Sequence, residues 1–363
     1  MSFAFIRRRV RALGAALLGA VCGCEASPAA PPPEQLAAPW QSQVKLADAA
    51  GPYAERAAPL VPGAKHVLWF GHSLLITEAG WPAPGDPALD LPGLVAELHE
   101  AARADGRTQI PRGRSLTFAE GPYDASYWLD GAGRARDKLD AVRDVPWTHV
   151  VEVDLIHLLG QERFDRPDLY EWLSKLSISE GSVRTRTRNV YRFMGMTHAL
   201  LPTATWVNYV APALANNPAV QPAIDARFAC IREQGRALGL TVVDAPVGRA
   251  FREAEAEAAG RGLTLQLRHD DFLHLRPQGA LLAAAVLYAS VYDVDPAGLP
   301  PPARYRGKLG GTPEQEAEVA MFLGEIASRT WRSYRSVCAP DAAVREDGAA
   351  AAWLARATQA RTW

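Results

Sequence analysis

From Lys65 onward the chain alternates between two kinds of patterning. Short apolar runs bounded by turn formers read as strands: His66–Phe70, Ser115–Phe118, His149–Asp154, Ala204–Asn208 and Thr241–Asp244. Longer stretches have apolar positions at helical spacing. They predict helices over Leu91–Arg103, Ala132–Val142, Asp168–Leu176, Val183–Leu201, Pro222–Leu238, Pro246–Ala259, Pro277–Val291 and Pro313–Tyr334. Pro277 and Pro313 suit a first helical turn, where the missing N–H costs nothing, and Thr312 with Gln315 has the spacing of a capping box. Strands alternating with helices in this way predict an α/β layered domain around a parallel sheet.

The amino-terminal stretch is patterned differently. Arg7, Arg8, Arg9 and Arg11 precede a short apolar run, Ala12–Val21, too short to span a bilayer, which is the layout of a targeting segment. Val21-Cys22-Gly23-Cys24 resembles the bacterial lipobox, which implies cleavage before Cys24 and lipid attachment to it. Cys22 fits less well, because bulky Val21 would stand just before the cut. The plainer alternative is an ordinary signal peptide with two incidental cysteines. Residues 24–60, with Pro28 and Pro31-Pro32-Pro33, read as a flexible tether that would hold a domain off a membrane surface. The expected organisation is therefore a signal peptide (1–23), a tether (24–60), a folded domain (61–338) and an alanine-rich tail (339–363).

Composition narrows the picture. With 363 residues, 48% hydrophobic and 22% charged, the chain can bury a sizeable core. A formal charge of −1 gives no general basic field, which argues against a nucleic-acid partner. Beyond the targeting segment only Cys230 and Cys338 remain. In an oxidising compartment they could pair; two buried thiols are the other reading.

Two short segments carry candidate chemistry. His66-Val67-Leu68-Trp69-Phe70-Gly71-His72-Ser73 reads as a strand running into a glycine turn, with a serine at its carboxyl end. Asp270-Asp271-Phe272-Leu273-His274 places carboxylates ahead of a histidine, just before the Pro277 helix. A serine hydroxyl is a weak nucleophile until a base takes its proton, and an imidazole base works best when a carboxylate fixes its tautomer. Ser73, His274 and either aspartate could supply those parts. Taken singly, each segment is as readily structural. His149, His157 and His198 show no metal spacing, and no HExxH or CxxC pattern occurs, so neither metal nor cofactor is expected. The loop 76–90 follows the first strand and carries Trp81, which reads as a substrate platform or as cover for an apolar edge.

Several blocks in order resemble the SGNH (GDSL-like) hydrolase superfamily, in particular its bacterial branch with GNSFT at the first strand. His66–Leu75 is similar to that branch's "vLfiGNSfT". Leu91-Pro92-Gly93-Leu94-Val95-Ala96-Glu97-Leu98 is similar to its "LPGMVAAL", and the stretch from Gly239 to Phe251 to its "G-x-x-V-x-P-V-G-x-A". Leu265–Tyr288 is similar to its terminal "DDxLHLSPxGxYLAA" block. The resemblance implies a flavodoxin-like three-layer α/β/α sandwich with a central parallel sheet. It also implies a serine esterase with Ser73 as nucleophile, His274 as base and then acid, and Asp271 orienting the imidazole. Family spacing favours Asp271 over Asp270. The implied oxyanion hole uses the backbone of Ser73 and Gly121.

Two positions depart from the family. His72 stands where an Asn or Asp is usual. The third strand, Val150-Val151-Glu152-Val153-Asp154-Leu155-Ile156-His157, lacks the usual amide donor; Asp154 lies near its place, where an ionised carboxylate would repel an oxyanion, so the Ser73 and Gly121 amides or His157 would have to substitute. Loss of one oxyanion donor costs roughly 10²–10³ in rate. The expected function is ester hydrolysis, on O-acetylated polysaccharide for a secreted member. Acyl transfer to an envelope glycan and a catalytically decayed glycan-binding protein are the alternatives.

Overall fold

A computed structural model describes residues 61–71, 74–75, 90–119, 145–153, 190–191, 193–215, 218–270 and 273–338. The described elements, in chain order, are β1 (Lys65–Gly71), α1 (Leu91–Ala104), β2 (Arg112–Ala119), β3 (His149–Glu152) and β4 (Thr205–Tyr209). They continue with α2 (Gln221–Ala237), β5 (Val242–Ala245), α3 (Val247–Ala258), α4 (Pro277–Tyr292) and α5 (Pro313–Ser333). Residues 190–191 and 193–200 are also helical. The five strands form one sheet in the order β2-β1-β3-β4-β5, with every neighbouring pair parallel. This is the flavodoxin-like order of a doubly wound α/β fold.

Successive strand residues point to opposite faces, so a sheet covered on both sides needs apolar residues at nearly every position. The strands meet that requirement. Val67, Trp69, Val151, Val207 and Ala245 face a core built with α1, α3, α4 and α5. Leu68, Phe70, Val150, Trp206 and Val242 face a second core, completed by α2 and the helical residues near Phe193. Helix α4 is buried from Gln278 to Ala289, because α1 and α3 flank it and α5 covers it. That explains why its sequence is apolar all round rather than striped.

The observed strands lie within a few residues of those read from the patterning. β2 departs most, beginning at Arg112 rather than Ser115, because Arg112 pairs with Lys65 across the sheet edge. The expected capping box is present: Thr312 N–H donates to Gln315 Oε1 at 2.8 Å, and Gln315 N–H to Thr312 Oγ1 at 3.4 Å. Cys230 and Cys338 form a disulfide that fastens the segment after α5 to α2. The helices expected at 132–142 and 168–176 and the alanine-rich tail lie outside the described residues, as does the start of the one expected at 183–201. No helix among the described residues is long and apolar enough to cross a membrane.

Candidate active site

In a doubly wound sheet, ligands bind beyond the carboxyl ends of the strands, where successive connections depart in opposite directions. Here that point lies between β1 and β3: the chain leaves β1 for β2 on one side and returns to β3 on the other. β1 ends at Gly71, which is packed tightly. A Cβ there would lie 2.8 Å from Leu75 Cδ1 and 3.0 Å from Val153 Cβ. Leu74 and Leu75 are buried in the core immediately afterwards. Leu91 N–H donates to Leu75 O at 3.0 Å, so the excursion between them leaves and returns at one point. His72 and Ser73, and the loop residues 76–89 with Trp81, lie outside the described residues.

His274 is described and is held from several sides. It sits in a narrow hairpin: Arg268 and Leu275 make an antiparallel bridge, His269 N–H donates to His274 O at 2.8 Å, and Arg276 N–H to Leu267 O at 3.0 Å. The Arg268 guanidinium anchors the hairpin, donating to Ala213 O at 3.2 Å, pairing with Glu255 and lying over the Phe251 ring at 4.8 Å. Ala213 follows the carboxyl end of β4 by a few residues, so the hairpin stands at the same edge of the sheet as Gly71. His274 is 3% exposed.

The residues after His274 lock this arrangement. Pro277 opens α4. The Gln278 amide accepts from Gln266 N–H at 2.6 Å and donates to Leu309 O at 2.5 Å. Gly279 lies so close to the hairpin that a Cβ would fall 2.0 Å from Leu267 O. The Pro-Gln-Gly sequence is thus a mounting for the histidine hairpin. Two other blocks behave alike. Asp90 caps α1 by accepting from Gly93 N–H at 3.0 Å, and a Cβ on Gly93 would strike that carboxylate. Gly248 packs against the Gln221 amide and Ala211 O, leaving no room for a side chain.

Asp270 and Asp271 were alternative partners for the imidazole. The Asp270 side chain is 99% exposed and lies 3.7 Å from the Arg276 guanidinium. Asp271 lies outside the described residues, as do Gly121, Asp154, His157 and Cys24. Glu152 ends β3 beside Phe70 and is 1% exposed, so the last described carboxylate of that strand is in the interior. No group of three or more His, Cys, Asp or Glu side chains among the described residues could hold a metal.

Two solved structures are similar to this chain. One is "a putative SGNH hydrolase" from Slackia heliotrinireducens, at 19% identity, with a TM-score of 0.37, covering 62% of this chain and 98% of its own. The other is "a putative GDSL-like lipase" from Parabacteroides merdae ATCC 43184, at 14% identity, with a TM-score of 0.40, covering 64% and 97%. No family model and no curated protein matches. The fold itself rests on the strand order and its all-parallel pairing.

Sequence reasoning missed a row of polar side chains inside the second core. Asn208 on β4 accepts from the Trp206 indole and donates to Asp244 on β5, each at 2.9 Å. Asp244 pairs with Arg232 on α2, whose guanidinium also donates to Ser336 O at 2.7 Å. Burial pushes the Asp244 carboxyl up to about 6, with Arg232 and Asn208 opposing the rise. The signal available was an aspartate in an otherwise apolar strand, Val242-Val243-Asp244-Ala245.

Proposed function

We propose that this chain is a serine ester hydrolase of the SGNH type, held at the cell envelope through a lipidated Cys24, that removes O-acetyl groups from carbohydrate. One observation carries the reading. The histidine that the sequence assigns as base is buried in a braced hairpin at the carboxyl edge of the sheet, the edge at which β1 delivers the chain toward Ser73. In this reading Ser73 Oγ attacks the ester carbonyl while His274 takes its proton. The backbone N–H groups of Ser73 and Gly121 stabilise the oxyanion. His274 then returns the proton to the leaving alcohol, and Asp271 keeps the imidazole in the required tautomer. Water, deprotonated by His274, then attacks the acyl-enzyme, and His274 returns that proton to Ser73 Oγ as the bond to the acyl group breaks and the acid leaves. No cofactor enters any step. The solvent-facing position of Asp270 supports Asp271 as the orienting carboxylate.

Hydrolysis of p-nitrophenyl acetate and labelling by a fluorophosphonate test the assignment together. Ser73→Ala is expected to abolish both without moving the melting temperature. Asp271→Asn should lower turnover by roughly 10²–10⁴, whereas Asp270→Asn should leave it near the starting value. Turnover surviving in Ser73→Ala would refute the nucleophile. An unaltered chain that neither labels nor hydrolyses, yet binds acetylated glycan, would replace catalysis with binding.

A further inference from the structure

The hairpin that carries His274 is too small to fix its own place. One antiparallel bridge, Arg268 with Leu275, and two flanking backbone hydrogen bonds close it. A two-stranded hairpin by itself is only marginally stable in water. Leu267, Leu273 and Leu275 bury it in the first core. Burial of that kind is non-directional, so it holds the hairpin down without setting where along the sheet edge it sits. Directed bonds have to do that. At the base, the Gln278 amide accepts from Gln266 N–H at 2.6 Å. Nearer the tip, beside His269, the Arg268 side chain supplies them.

The Arg268 guanidinium leaves the hairpin and meets two other elements. Nη2 donates to Ala213 O at 3.2 Å, in the segment after β4, and Nη1 pairs with Glu255 on α3. The group also lies over the ring of Phe251, another α3 residue, at 4.8 Å. The side chain is 7% exposed, and its Nε–H has no acceptor among the described residues. Taking a charge out of water is costly, and a buried ion pair seldom returns more than a well-packed apolar side chain would. Stability therefore gives little reason for an arginine here. Geometry gives one: a planar fork bonds two elements at once, which neither an apolar residue nor a lysine can do.

We propose that Arg268 is a positioning residue of the candidate active site: by tying the hairpin both to the segment after β4 and to α3, it fixes His274 relative to the carboxyl edge of the sheet. The inference rests on the reading of His274 as catalytic base. Arg268 acts through that histidine and not on substrate. A misplacement of about 1 Å can cost about 10²-fold in rate, so loosening this tie should lower kcat far more than it changes KM or the fold.

Two variants test it. Arg268→Met removes the charge and both bonds. Arg268→Lys keeps the charge and an apolar stem for Glu255 and Phe251, but a single ammonium does not reproduce the fork to Ala213 O. Turnover of p-nitrophenyl acetate, melting temperature and amide hydrogen exchange are measured on the full chain. In each variant kcat should fall about 10–100-fold with KM nearly unchanged. Exchange of the His269 N–H, which bonds His274 O, should quicken about tenfold, while that of Leu287 within α4 should not move. Arg268→Lys should melt close to the unaltered chain, and it decides the matter if Arg268→Met does not fold. Arg332→Gln, which breaks an exposed pair with Asp295, is the control and should change none of these readouts. Full kcat in folded Arg268→Lys, a change in KM alone, unaltered His269 exchange, or loss of the fold in both variants would each overturn the proposal. Failure of the esterase reading looks different: the unaltered chain would neither turn over nor take a fluorophosphonate label, and His269 exchange would still decide whether Arg268 places the hairpin.

Discussion

The two faces of the sheet are held by different physics. On the face covered by α1, α3, α4 and α5, the strands and helices meet through apolar side chains, and α4 is enclosed almost completely. On the face covered by α2, an apolar core is crossed by the Trp206–Asn208–Asp244–Arg232 chain, which reaches Ser336, and is fastened by the Cys230–Cys338 bond. The first face depends on close packing, which redox conditions do not touch. The second depends on buried polar partners and a covalent link. The first face also carries α4, whose amino-terminal turn mounts the His274 hairpin, so the packed side supports the candidate site while the polar side anchors the segment after α5. A difference of this kind makes the faces separable by experiment.

The largest expected effect comes from the packed face. Leu287→Ala, at a position with 0% exposure in α4, should cost about 2–5 kcal/mol in a denaturant titration. That cost should be the same with and without reductant. Next, removing the disulfide by Cys230→Ser with Cys338→Ser should cost about 2–4 kcal/mol. The loss should match that produced by reducing the unaltered chain, and little change in either case would mean that Arg232 and its partners suffice to hold the segment after α5.

A smaller effect distinguishes the faces by pH. On the packed side, burial lowers the His149 pKa from 6.5 to about 4. The unfolded chain then binds a proton that the native chain does not, so stability falls as the pH drops from about 6.5 to about 4. Asp244 acts with the opposite sign. Its folded pKa of about 6 lies above the ordinary carboxyl value of 3.8, so between those values the native state holds the extra proton and acidification stabilises it. The two contributions offset each other in the unaltered chain. Asp244→Asn should make the unfolding midpoint fall more steeply between pH 7 and pH 5, and His149→Gln should flatten or reverse the fall, each by roughly 1–3 kcal/mol. Parallel profiles for both variants and the parent would show that neither buried group titrates differently on folding.

Much of the fold was legible because apolar runs and helical spacing report burial directly. Strands with inward residues on both sides had to lie in a covered parallel sheet, and the Thr312–Gln315 cap could be read from its spacing alone. The resemblance blocks were legible as words but not as reasons. Gly93, Gly248 and Gly279 each mark a place where another group approaches the backbone, a closeness that no local pattern expresses. Arg112-Gly113-Arg114 reads as loop because its pairing with Lys65 belongs to the sheet edge, not to its own sequence. Asp270 and Asp271 are indistinguishable in type; the Asp270 side chain faces solvent, and Asp271 lies outside the described residues.

By itself the sequence determined the α/β class, the order of elements and the candidate identity of His274, since each is written in periodicity or in residue type. Tertiary structure alone decided which groups meet. It joined Cys230 to Cys338 and lined Asn208 and Asp244 against Arg232. Those outcomes depend on distances between residues far apart in the chain, which periodicity cannot encode. They are fixed only when the sheet has set its register and the helices have packed against it.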